Sequence, residues 1–67
     1  MAIHKVIEVS AQSTESFEDA VRIAVKDAGK SVKNIRSVYV KEQLAEVSGD
    51  TVSAFRAICK ITFEVEG

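Results

Sequence analysis

Hydrophobic and polar positions alternate from the start of the chain. In AIHKVIEVS, Ile3, Ile7 and Val9 share one side with Lys5, and His4, Glu8 and Ser10 share the other with Val6. This β-branched run predicts a strand. The polar stretch AQST then reads as a turn. From Phe17 the period changes: Phe17, Ala20, Val21, Ala24 and Ala28 fall on one stripe of a helix, with Glu18, Asp19, Arg22, Lys26 and Asp27 around the remainder. Ser13 occupies the predicted N-cap position, with Glu15 facing the positive end of the helix dipole, and Ser13 and Ser16 both read as capping groups. Gly29 and Lys30 close the helix. Its stripe is mostly alanine, so it should pack close to whatever lies beneath.

Two longer strands follow, Lys33 to Val47 and Thr51 to Val65, joined by Ser48-Gly49-Asp50 as a hairpin connection. In the last, Phe55, Ala57, Cys59, Ile61, Phe63 and Val65 share one parity and Arg56, Lys60, Thr62 and Glu64 the other, with Ile58 the exception. The preceding strand is less regular. In NIRSVYVKEQ, Ile35 and Tyr39 share one parity and Val38 and Val40 the other, so its apolar residues do not stay on one face. The order is β-α-β-β, an α+β arrangement. A helix of about 16 residues spans roughly 24 Å, whereas strands of about 15 residues span roughly 50 Å. One helix cannot cover such a hairpin. Val38, Val40, Leu44 and Val47 therefore call for another subunit.

Composition sharpens this expectation. Sixty-seven residues make at most one domain, 1–67. A chain this short buries only about 60% of the surface it exposes when unfolded, so a lone core is marginal. Small folds add disulfides, a metal or oligomerisation. The single cysteine excludes an internal disulfide, and Cys59 with His4 alone cannot assemble a Cys/His zinc site. Oligomerisation remains. Nine Lys/Arg against ten Asp/Glu give a net charge of -1 with no basic run, which is not the footprint of a nucleic-acid binder. No stretch has the length of a signal peptide core or a membrane span. The default reading is a soluble cytoplasmic protein, and one buried thiol fits a reducing compartment.

HKVIEV near the start, SFEDAV opening the helix, SVKNIR leading into the second strand and KITFEVEG at the end occur in an order and spacing that resembles the dodecin family across essentially the whole chain. The resemblance implies a three-stranded antiparallel sheet partly wrapped round one helix, with twelve copies forming a hollow shell of tetrahedral symmetry. It also implies flavin bound in pairs at a subunit interface, stacked by a tryptophan on the second strand and read at its polar edge by a glutamine on the third. Those positions fall here at Ser37 and Arg56, and the chain has no tryptophan. Serine offers no flat π-face for a stacked ring. Arg56 can grip a phosphate or carboxylate, but it cannot accept a hydrogen bond as a glutamine carbonyl does. The usual flavin site is therefore expected to be lost or remodelled.

Ser37, Tyr39, Gln43 and Arg56 are assigned to the interface pocket. Tyr39 has the parity of Ser37; it supplies either part of a stacking surface or an interface hydroxyl. Arg56 either holds an anion or pairs across a contact with an acid such as Glu42 or Glu46. Glu42 and Glu46 are also the candidate metal ligands, because a carboxylate repeated around a symmetry axis becomes a ring suited to calcium or magnesium. The bland reading of these acids is a solvated strand edge. Calcium binding is described for some dodecin-like proteins. Cys59 alternates with core residues and reads as an inert thiol. No nucleophile, base and orienting group can be assembled together, so an enzyme is not expected. Two functions stand: a self-assembling shell that stores or sequesters a small ligand or cations, and an oligomeric scaffold without a dedicated ligand.

Overall fold

The computed structural model describes residues 2–65. It contains β1 (Ile3–Ser13), α1 (Phe17–Ala28), β2 (Ile35–Ser48) and β3 (Thr51–Val65). The strands form one sheet in the order β1-β3-β2, with both neighbouring pairs antiparallel. The β-α-β-β order and the antiparallel sheet are those expected of the sequence.

The boundaries differ at the helix. α1 has 12 residues rather than about 16, and β1 runs on through the expected turn to Ser13. Ser13 is not the N-cap, because it still pairs with Phe55 of β3. The cap is Ser16, in extended conformation, whose Oγ accepts from the Asp19 N–H at 2.9 Å. Ser13 instead organises the approach: its hydroxyl accepts from the Glu15 N–H at 2.9 Å and donates to Asp19 Oδ2 at 2.6 Å. At the other end, Gly29 is right-handed (φ -62°) and donates to the Val25 carbonyl. The chain winds on through Val32, whose N–H reaches the Ala28 carbonyl at 2.9 Å. The left-handed residues are Asn34 (φ 63°), just before β2, and Gly49 (φ 66°) in the hairpin turn. β2 consequently begins at Ile35 and not Lys33.

The irregular parity of NIRSVYVKEQ is resolved by bulges. Ile35 pairs with Phe63 and Ser37 with Thr62, which leaves Arg36 as an inserted residue; Val40 pairs with Cys59 and Glu42 with Ile58, which inserts Lys41. Each insertion shifts the alternation by one residue. Ile35, Val38 and Val40 thereby reach the same face, together with Gln43 and Ala45. The third irregularity, at Glu46/Val47, places its extra residue, Ser53, on β3.

That face carries the core. Ile7, Val9 and Ala11 of β1 stand opposite Ile61, Cys59 and Ala57 of β3, which face Val38, Val40 and Gln43 of β2 on the other side. Ala20, Ala24 and Ala28 pack on the buried Ala57, Cys59 and Ile61. Phe17 and Phe55 close one end edge-to-face, their ring centroids 5.1 Å apart. The molecule measures 51 × 19 × 14 Å, and a 12-residue helix covers only about 18 Å of its length. The hairpin end overhangs the helix, leaving Val47 63% and Val52 50% exposed.

Burial pushes the Cys59 thiol above its ordinary pKa. The neutral form is favoured by folding, so this contribution to stability is present below the unfolded pKa and lost as pH rises through the folded value. In the native protein at pH 8, Cys59 should react with a thiol reagent at least about tenfold more slowly than in denaturant. Equal rates would mean that the core opens freely.

Candidate functional site

The sheet's second face carries the polar chemistry. Across it, Ser37 of β2 stands opposite Thr62, Tyr39 opposite Lys60, Glu42 opposite Ile58, Leu44 opposite Arg56 and Glu46 opposite Ala54. On the far side of β3, β1 adds His4, Val6, Glu8, Ser10 and Gln12. Because α1 packs on the opposite face, this one is open, and Tyr39 is 64% exposed. Ser37 and Tyr39 are roughly 7 Å apart along β2.

Charges of opposite sign meet across the strands. Arg36 Nε lies 3.2 Å from Glu64 Oε1, with His4 Nε2 4.0 Å from the same oxygen. Lys41 Nζ reaches Glu8 Oε1 at 3.4 Å, spanning the central strand. Arg56 Nη2 lies 3.1 Å from Glu46 Oε2 within the chain. Both cations that reach over from β2, Arg36 and Lys41, are the inserted residues of its bulges. Sequence reasoning missed these two bridges, since they follow only from a register that the bulges shift. It also passed over Gln12, which stands directly opposite Arg56.

The four residues assigned to one pocket are not brought together in one chain. Ser37, Tyr39 and Arg56 share the open face, but the run from Thr62, opposite Ser37, to Arg56 covers roughly 20 Å. Gln43 lies on the other face, because the Lys41 insertion reverses its parity. There it lines a groove of about 330 Å³ with Phe17, Glu18, Val21, Arg22 and Val40. Within one copy, a ligand shorter than about 20 Å cannot touch both the Ser37 and Arg56 positions.

Glu42 and Glu46 do share the open face, roughly 13 Å apart along β2. Among the described residues, no group of three or more His, Cys, Asp or Glu could hold a metal ion. Within one copy, these two carboxylates fall short of the six or more oxygen ligands that calcium takes. Glu46 is also already engaged by Arg56.

The family profile described as Dodecin matches residues 3–66. The chain belongs to the dodecin family. Its fold is similar to that of the Thermus thermophilus dodecin R45A mutant, with a TM-score of 0.93, 22% identity and complete coverage of both chains. Dodecin from Streptomyces coelicolor gives a TM-score of 0.92 at 23% identity, covering 98% of this chain and 94% of that one. Calcium dodecin from Mycobacterium tuberculosis, described as a calcium chelating immunodominant antigen with a novel calcium-binding site, is 31% identical. It gives a TM-score of 0.83 and covers 96% of this chain and 91% of its own. No curated protein sequence matches the chain. Dodecins are a ligand-binding family and not an enzyme family. Among the described residues, no helix is long and apolar enough to cross a membrane.

The Arg56–Glu46 pair is partly open to solvent, with side chains 38% and 39% exposed. Screening keeps such a pair weak. Measured in dissociated subunits, Arg56→Gln should cost less than about 1 kcal/mol of unfolding free energy, and the loss should shrink with added salt. A loss of about 3 kcal/mol or more would mean that Arg56 is paired in a far drier contact.

Proposed function

We propose that the chain, one dodecin-like domain over residues 1–67, assembles with copies of itself into a hollow dodecamer. In this reading the shell binds and sequesters a small ligand at its subunit contacts, in the cytoplasm, without catalysis and without nucleic-acid or membrane partners. The observation that carries it is the separation of the Ser37 and Arg56 positions on one open sheet face. The family's ligand positions make a site only when two copies bring them together. Exposed Val47 and Val52, beyond the reach of the short helix, support the same assembly.

The ligand differs from the family's usual flavin. Ser37 removes the stacking ring, and exposed Tyr39 is the only aromatic side chain on that face. Arg56 exchanges an acceptor for a cation. An anionic ligand would draw Arg56 from Glu46, while Gln12 beside it supplies the carbonyl acceptor that arginine lacks. Flavin then binds weakly through its phosphate and not through its ring.

A second reading is a cation site, favoured by the identity with the calcium dodecin. Glu42 carries it, since it makes no ion pair among the described residues. Glu46 joins it once Arg56 is displaced, and symmetry supplies the remaining carboxylates for calcium or magnesium. If neither ligand binds, the oligomeric scaffold is what remains.

Light scattering on the purified protein should give a mass of about twelve chains. A stable monomer or dimer at micromolar concentration would sink the assembly. FMN should bind with a dissociation constant weaker than about 1 μM, and riboflavin more weakly still. The double variant Ser37→Trp, Arg56→Gln should tighten riboflavin at least about tenfold, or roughly 1.4 kcal/mol. A variant that assembles yet binds no better would mean that the pocket is not the family's. Calcium titration decides the cation reading: heat lost in Glu42→Gln supports it, and heat unchanged in that variant removes it.

A further inference from the structure

The helix α1 rests mainly on β1 and β3, so its outer side stands off β2. The gap is the groove of about 330 Å³, open along the edge of the sheet. Its floor is apolar. Phe17 and Val21 stand one turn apart on α1, and Val40 completes the floor from β2. The Phe17 ring is held by its edge-to-face contact with Phe55, so this wall is in place before anything binds. The rim carries three polar groups. Glu18 and Arg22 also stand one turn apart, with Arg22 Nη2 3.4 Å from Glu18 Oε2 and both side chains largely in solvent. Gln43 joins them from β2, and among the described residues its amide makes no side-chain hydrogen bond. It is a polar residue on a face where Ile35, Val38, Val40 and Ala45 are apolar.

One carboxylate, one guanidinium and one free amide above an apolar floor narrow the ligand by its charge. A simple anion meets Arg22 but is repelled by Glu18 beside it, and a simple cation meets the reverse. A purely apolar molecule leaves the charged pair unused and removes water from it. A zwitterion satisfies both partners. Its carboxylate accepts from the Arg22 guanidinium and its ammonium donates to Glu18, each through a charge-assisted hydrogen bond. The pair that it replaces is screened by solvent and weak, so the exchange costs little.

We propose that the groove binds a free α-amino acid with an apolar side chain. The side chain lies on Phe17, Val21 and Val40, and the charged head sits between Glu18 and Arg22. Gln43 is the third polar contact, donating to the carboxylate or accepting from the ammonium. A volume of about 330 Å³ is near the lower end of ligand pockets, roughly 300–1,000 Å³, which suits a molecule of amino-acid size. The end of a peptide is a poorer match, because it carries only one of the two charges. The site lies on the helix face, opposite Ser37 and Arg56, and takes all its residues from one chain, so it is independent of the shell proposed above.

Calorimetric titration of the purified protein with L-phenylalanine tests the site. It should bind at one per chain with a dissociation constant of about 1 mM or tighter. Phenethylamine lacks the carboxylate, 3-phenylpropionate lacks the ammonium and L-alanine lacks the ring, and each should bind at least about tenfold more weakly. Two variants then place the charges. Both side chains are exposed, so Glu18→Gln and Arg22→Gln should keep the fold, as circular dichroism will read. Arg22→Gln should erase the preference for L-phenylalanine over phenethylamine, and Glu18→Gln the preference over 3-phenylpropionate. The proposal is overturned by no binding of L-phenylalanine up to about 10 mM, by equal binding of either one-charge ligand to the parent, or by an unchanged preference in either variant. None of these measurements reads subunit mass, so failure of the groove and failure of the shell are told apart.

Discussion

Everything in this fold follows from laying a short alanine-faced helix on a sheet far longer than itself. Ala20, Ala24 and Ala28 let the helix backbone approach Ala57, Cys59 and Ile61 closely, but alanines bury little area of their own. The resulting core is compact and narrow, and it ends where the helix ends. Beyond it the β2–β3 hairpin runs on with valines facing solvent. Apolar burial contributes roughly 25 cal/mol per Å² of surface removed from water, so the uncovered length is stabilising only if something covers it. In the proposed assembly, copies of the same chain supply that cover.

The bulges of β2 then determine which side chains meet. Each inserted residue returns the apolar positions to the helix face and adds a long cation, Arg36 or Lys41, to the open one. Those cations reach acids on β3 and β1, so the open face is laced by charges of both signs. The pairs are solvent-exposed and individually weak. Their effect is to leave the face nearly balanced in charge, which suits a surface that another copy approaches.

Membership of the dodecin family and the proposed departure from its ligand chemistry are compatible for the same reason. The fold is maintained by the helix stripe and the helix-facing side of the central strand, and neither Ser37 nor Arg56 belongs to that core. The open face can change its ligand without disturbing the core beneath it. In the proposed reading, a serine in place of the stacking ring and an arginine in place of the glutamine shift the chemistry from planar stacking toward anion binding.

The order of elements, the helix stripe, the hairpin and the mismatch in length were legible in the sequence, because periodicity reports which residues share a face within a regular element. The mismatch also pointed to further subunits, but the structure moves that argument to Val47 and Val52, because Val38 and Val40 pack against the helix-covered core. Single-residue insertions were not legible. A bulge leaves no composition signal, yet it reverses the face of every residue after it, which is why Gln43 belongs to the groove and not with Ser37, Tyr39 and Arg56. The helix start was misread at Ser13 because serine suits both a cap and a strand end; pairing with Phe55 decided between them. Residue types and their alternation were enough to determine the fold. Only the register between strands decided which polar groups stand together, since that is a property of two chain segments at once and not of either alone.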